Sequence, residues 1–119
     1  MTAYVDGFVV PVPRDRLDDY LGMAREAGKL WREHGALEFC ECVAEDVKVG
    51  EVTSFPRSVH VDEGETVVFS WIGFASREER DLVNAAVMKD PRFEELTKRE
   101  MPFDGKRMIY GGFEVGVSV

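Results

Sequence analysis

Residues 66–75, Thr-Val-Val-Phe-Ser-Trp-Ile-Gly-Phe-Ala, constrain the fold of this 119-residue chain more than any other stretch. Side chains alternate across a strand, so Val67, Phe69, Trp71 and Gly73 point one way and Val68, Ser70, Ile72 and Phe74 the other. Both sets are largely apolar, and such a strand needs cover on two sides. The helical segments described next are enough for one side only. A second copy of the chain is the expected cover for the other.

The remaining segments follow from periodicity. Residues 3–12 carry the β-formers Tyr4, Val5, Phe8, Val9 and Val10. Pro11 and Pro13 are expected to end that strand, since proline donates no ladder hydrogen bond. From Asp15 to Glu33, Leu17, Tyr20, Leu21, Ala24, Gly28 and Trp31 recur at helical spacing. Asp15 is the expected N-cap, and Gly35 suits the residue just past the helix end. Residues 37–43 form a second strand, with Phe39, Glu41 and Val43 opposite Glu38, Cys40 and Cys42. Ser76-Arg77-Glu78-Glu79 is a capping box that opens a helix running to Lys89, with Leu82, Val83, Ala86 and Val87 buried. Asp90-Pro91 stops it, a further helical turn surrounds Phe93 and Leu96, and residues 106–117 form the last strand.

The order is βαββαβ, which predicts an α+β, ferredoxin-like antiparallel sheet with two helices on one face. One domain over residues 1–119 accommodates it, with a long insertion at about 45–65 between the second and third strands. That insertion keeps Val47, Val49, Val52, Phe55, Val59 and Val61 among acidic residues, and reads as a protruding β-ribbon or arm. The sheet face away from the helices would expose a large apolar area in a monomer. Packing two sheets face to face about a two-fold axis gives a dimeric α/β barrel.

Charge narrows the partners. The formal net charge is −8, without a basic stripe, which argues against nucleic acid and against an anionic membrane surface. No apolar run approaches the roughly 20 residues needed to cross a bilayer, and the first residues, without a basic or an apolar region, suggest no export. Cys40 and Cys42 lie about 7 Å apart along one strand face, too far for a mutual disulfide, so a reducing cytoplasm is the expected location.

The stretch Met101-Pro-Phe-Asp-Gly-Lys-Arg-Met-Ile-Tyr-Gly-Gly-Phe-Glu114 resembles the signature of the YbaA-like family of uncharacterised conserved proteins. Tyr4-Val-Asp-Gly-Phe8, Gly35-Ala-Leu37 leading into Glu41-Cys42, and Val67–Ile72 followed by Ser76-Arg77 are similar to it as well. The resemblance implies the dimeric α/β-barrel superfamily and no particular activity. That superfamily holds cofactor-free monooxygenases, isomerases, haem-handling enzymes and ligand-binding modules, an analogy of fold alone.

Several residues can carry chemistry. His34, between the first helix and second strand, has the pKa range for proton transfer, or else answers the helix dipole as an imidazolium. Asp6, Glu41 and Glu114 are acids inside apolar strands, where a buried carboxyl can serve as a general base or pair with Arg57, Lys106 or Arg107. Tyr4, Phe69, Trp71, Met108 and Tyr110 could line a pocket for a small organic ligand, or else belong to the core or a dimer interface. Cys40, Cys42, His34 and His60 have poor spacing for zinc, and Gly111-Gly112 lacks the strand-then-helix setting of a phosphate loop. No metal and no cofactor is expected. The favoured expectation is a homodimeric module that binds a small hydrophobic ligand or serves an interaction role without catalysis. The alternative is a cofactor-free monooxygenase or isomerase, with His34 or Asp6 as base and Trp71 or Tyr110 positioning substrate.

Overall fold

In the computed structural model, which describes residues 1–119, β3 (Glu65–Phe74) lies between β1 (Tyr4–Pro13) and β2 (Glu38–Val43). The fourth strand, β4 (Ile109–Glu114), adds to the far side of β1, giving the order β2-β3-β1-β4 with every pair antiparallel. The helices are α1 (Leu17–Glu33), a single turn α2 (Phe55–Ser58), α3 (Arg77–Lys89) and α4 (Pro91–Thr97). This is the expected α+β, ferredoxin-like plan.

The local chemistry explains most of the boundaries. Ser76 caps α3 by accepting from the Glu79 N–H at 3.0 Å, and Asp90 caps α4 by accepting from that of Arg92 at 2.9 Å. Gly35, at φ +120, ends α1 in a backbone region closed to most residues. Two expectations at the helices need correction. A 3-10 turn over Arg14–Arg16 leads into α1, so Arg16 rather than Asp15 holds the N-cap position and no side chain caps the helix. Leu82 faces solvent, and Val83 and Val87 carry the buried stripe of α3.

Pro11 does not end β1. The β4 pairing stops at Val9↔Ile109, while β3 continues alongside as far as Pro13↔Glu65. Past Val9 the strand has a free edge, and a proline there sacrifices no ladder bond.

Register sorts the side chains into two layers. Asp6, Phe8, Val10 and Val12 of β1 share the helix face with Val68, Ser70, Ile72 and Phe74 of β3, and with Phe39 and Glu41 of β2. Val10, Val12 and Val68 pack on Tyr20 and Ala24 of α1, while Ile72 and Phe74 pack on Val83 and Val87 of α3. The opposite face is covered in part by the chain itself. The arm between β2 and β3 is not a protruding ribbon: it folds back so that Val59, fully buried, seats on Val9 and Val67. Phe55 of α2 meets Phe69 edge-on at 5.8 Å, and Phe69 meets Trp71 at the same separation. Beyond the arm the face is open, with Phe69, Ile109 and Phe113 all exposed.

Candidate functional site

A cavity of about 480 Å³ lies between the helices and the covered face of the sheet. Its walls are mostly apolar: Phe8, Phe39 and Ile72 from the sheet, and Trp31, Phe93 and Leu96 from the helices. Tyr110, Met88 and Met101, all exposed, border it toward solvent. A larger depression, about 660 Å³, runs between α1 and β2, rimmed by Arg25, Lys29, Arg32 and Glu33, and Phe39 and Glu41 border both it and the cavity.

Two carboxyl groups line the cavity from the sheet, Asp6 buried and Glu41 part-buried. Asp6, 9% exposed, has its Oδ1 3.4 Å from Arg80 Nε of α3. Burial pushes its pKa up, and the Arg80 guanidinium and the Asn84 amide pull it back without cancelling the rise. Arg80 is itself held from several sides. Its Nη2 donates to the Tyr4 hydroxyl at 2.9 Å, its guanidinium carbon lies 5.0 Å from the centre of the Tyr4 ring, and Asp81 stands 3.3 Å from Nη1. Asn84, one turn along the same helix, accepts from Trp31 Nε1–H at 2.9 Å. Gly112, paired with Asp6 across β1 and β4, makes this packing possible, because a Cβ there would collide with the Tyr4 hydroxyl and the Arg80 guanidinium.

Glu41 is the second carboxyl. The Tyr20 hydroxyl of α1 donates to its Oε1. Burial is the largest influence and raises its pKa, with the Tyr20 and Ser70 hydroxyls opposing. Tyr20 is raised beyond its ordinary range in turn, by burial and by the Glu41 charge. Two buried polar atoms, Glu41 Oε2 and Arg80 Nε, have no hydrogen-bond partner.

The other sequence candidates are scattered. Met108 and Tyr110 reach the cavity beside Asp6. Tyr4 backs the wall through Arg80 instead of lining it. Trp71 and Cys40 border it from the strand backbone, and alternation turns both side chains to the opposite face, where Trp71 Nε1–H donates to Glu38 at 3.1 Å. Phe69 lies wholly on that face. His34 is away from the cavity: its Nε2 is 2.8 Å from Asp90 Oδ2, in a cluster where Arg92 also binds Asp90. Arg92 and His34 hold the Asp90 carboxyl well below the ordinary carboxylate range. Asp90 sits 56 positions from His34, so no local spacing betrays the pair. Arg80 and Asn84 are the site residues that periodicity does not single out, while Tyr20 falls on the helical stripe of α1 as a core position. The available signal is the four-residue spacing of Arg80 and Asn84, which puts both on one side of α3. No three His, Cys, Asp or Glu side chains converge to hold a metal.

Residues 3–105 match the model of the family described as protein of unknown function, DUF1428. The chain is 56% identical over 111 residues to the uncharacterised protein YbaA of Escherichia coli K12, covering 93% of this chain and 94% of YbaA. The chain belongs to this YbaA-like family. The YbaA of Shigella flexneri matches at the same level. Among solved structures, a NIPSNAP family protein of unknown function from Agrobacterium tumefaciens superposes with a TM-score of 0.57 at 13% identity, covering 96% of this chain and 88% of its own. A dimeric ferredoxin-like protein from an uncultured marine organism gives 0.54 at 12% identity, with 98% and 99% covered. Those two likenesses establish the shared fold. No helix of this YbaA-like chain is long and apolar enough to cross a membrane.

Proposed function

We propose that this YbaA-like protein is a homodimer whose helix–sheet cavity binds a small, largely hydrophobic molecule. The observation that carries the reading is the cavity of about 480 Å³, apolar in most of its wall yet holding Asp6, Glu41 and Arg80 at fixed points. Small-molecule sites have this character, a hydrophobic enclosure of about 300–1,000 Å³ with a few placed polar groups. The open half of the outer sheet face, with Phe69, Trp71, Ile109 and Phe113, suits a second copy of the chain. The dimeric ferredoxin-like protein of the same fold is a precedent for that arrangement. A net charge of −8 disfavours nucleic acid and anionic lipid as partners. Two unpaired cysteines fit a reducing, cytoplasmic setting.

The test is occupancy. Native mass spectrometry of the protein as purified is expected to show a dimer carrying a non-covalent small mass, or to accept one from a neutral bicyclic probe such as 2-tetralone. Ala27, on the cavity wall, offers a way to fill it. Ala27→Trp should weaken the probe's binding by at least about tenfold, because the indole occupies volume the ligand needs. Equal affinity in the filled variant would place the ligand elsewhere and overturn the reading.

A further inference from the structure

We propose that Asp6 and Glu41 form an acid–base pair that moves a proton between two carbons of a small cyclic ketone bound in the cavity. The proposal rests on the ligand-binding reading of that same cavity. Its first support is position. Asp6 pairs with Ile72 and Glu41 with Ser70, so the two acids share the helix face of the sheet with β3 between them. Strand spacing of about 4.8 Å and a rise of about 3.4 Å per residue put their Cα atoms about 12 Å apart. After both side chains reach inward, the gap suits a single ring system.

The second support is unsatisfied polarity. Arg80 Nε lies 3.4 Å from Asp6 Oδ1 but lacks hydrogen-bond geometry, and Glu41 Oε2 has no partner at all. Buried polar atoms are seldom left alone, and Arg80 and Glu41 both line the same largely apolar cavity. A ligand with an oxygen to offer completes the set.

The surroundings divide the roles. Asp6 faces Arg80 and Asn84 of α3, with Asp81 beyond, and the guanidinium favours its anion. Glu41 faces the hydroxyls of Tyr20 and Ser70, while Arg25 and Lys29 lie along the solvent-side depression behind it. It forms no ion pair, so it holds its proton more readily than a paired carboxyl. Tyr20 already donates to Oε1, which leaves the unpartnered Oε2 as the oxygen to carry that proton. Environments that separate two carboxyls in this way assign one as base and the other as acid.

The reaction balances without a co-reactant. The Asp6 carboxylate takes a proton from the carbon next to the carbonyl, and the C–H electron pair becomes the new C=C bond. The carbonyl π pair moves to oxygen, which takes the Glu41 proton. Asp6 then returns its proton to carbon, at the original or the conjugated position, as Glu41 recovers its own. The ketone is isomerised or unchanged, and nothing is oxidised or reduced.

The experiment follows 2-tetralone by proton NMR in deuterium oxide, with binding read by saturation transfer in the same samples. The wild-type protein should accelerate loss of the α-proton signal by about 100-fold or more over buffer. Asp6→Asn should lose about 100-fold of that rate and Glu41→Gln about tenfold, with saturation transfer retained. The wild-type rate should also rise as Asp6 ionises and fall as Glu41 loses its proton. This bell needs no variant, so it decides the matter even if Asp6→Asn does not fold. Binding without accelerated exchange, a flat pH profile, or full activity in Glu41→Gln would overturn the acid–base pair and leave the binding reading standing. Absence of binding would overturn both.

Discussion

Asp6 and Glu41 occupy the same layer as the valines of the core, and burial raises both pKa values above 3.8 and 4.5 respectively. The folded chain therefore holds more protons than the unfolded chain between those values and the raised ones. By linkage, the contribution of each acid is fully present below the unfolded value and is lost as pH rises through the folded one. Glu41→Gln cannot ionise and keeps an acceptor for Tyr20. Urea unfolding should find the variant close to wild type at pH 4 and the more stable of the two at pH 8. A gap that does not widen with pH would mean that Glu41 is not held in a disfavoured charge state. Asp90 runs the other way: its lowered pKa gives stability above 3.8 that disappears as pH falls through the folded value. At this scale the sequence was partly legible. An acid flanked by Tyr4, Val5 and Phe8 is visible as an anomaly, as is one between two cysteines. Arg77 and Arg80 look alike by composition. Only the seating of α3 on the sheet turns Arg80 toward Asp6 and leaves Arg77 in solvent.

Elements were legible where one local rule dominates. Ser76 and Gly35 mark helix ends through their own hydrogen bonds and dihedrals, and both do so here. Pro11 misled because a proline's cost depends on whether a neighbouring strand reaches it, which is a tertiary matter. The arm over residues 45–65 was the least legible. Its valines suggested a ribbon, yet Val47, Val49 and Val52 are exposed and it is Val59, just after α2 and before the left-handed residue His60, φ 50, that packs on Val9 and Val67. The return is pinned by Arg107. It donates to the His60 carbonyl at 2.8 Å, pairs with Glu65 at 2.7 Å and pairs with Asp104 at 2.9 Å. Replacing Arg107 by Met keeps much of the side-chain bulk and removes every one of its hydrogen bonds and ion pairs. Limited proteolysis of the variant should cleave within residues 45–65 at least about tenfold faster than wild type, because cleavage tracks local opening. Unchanged cleavage would show that the Val59 contact alone holds the arm.

For the whole molecule, the two-sided strand was informative. One face of β3 does pack on α1 and α3, and the other is only half covered by the chain's own arm. The sequence could not reveal that half, since a loop's route depends on contacts far along the chain. Trp71→Asp places a charge in the open aromatic row of Phe69, Trp71 and Phe113, where a face-to-face dimer would have to desolvate it. Sedimentation velocity at micromolar concentration should show wild type as a dimer and Trp71→Asp as a monomer, with Ala27→Trp remaining dimeric. A wild-type monomer would remove the dimer from the reading, and a dimeric Trp71→Asp would move its interface to another face.

In the proposed dimer, the alternation of β3 would make the ligand and the partner close neighbours. Ser70 and Ile72 face the cavity while Phe69 and Trp71 face outward, so one thickness of backbone separates the two surfaces. A ligand that shifts or stiffens that strand changes the shape offered to the second copy. Thermodynamic reciprocity then requires that assembly alter ligand affinity by the same factor. If both proposals hold, dilution into the monomer range acts as an affinity control, and the concentration of the chain becomes one of the variables that set how much ligand it holds.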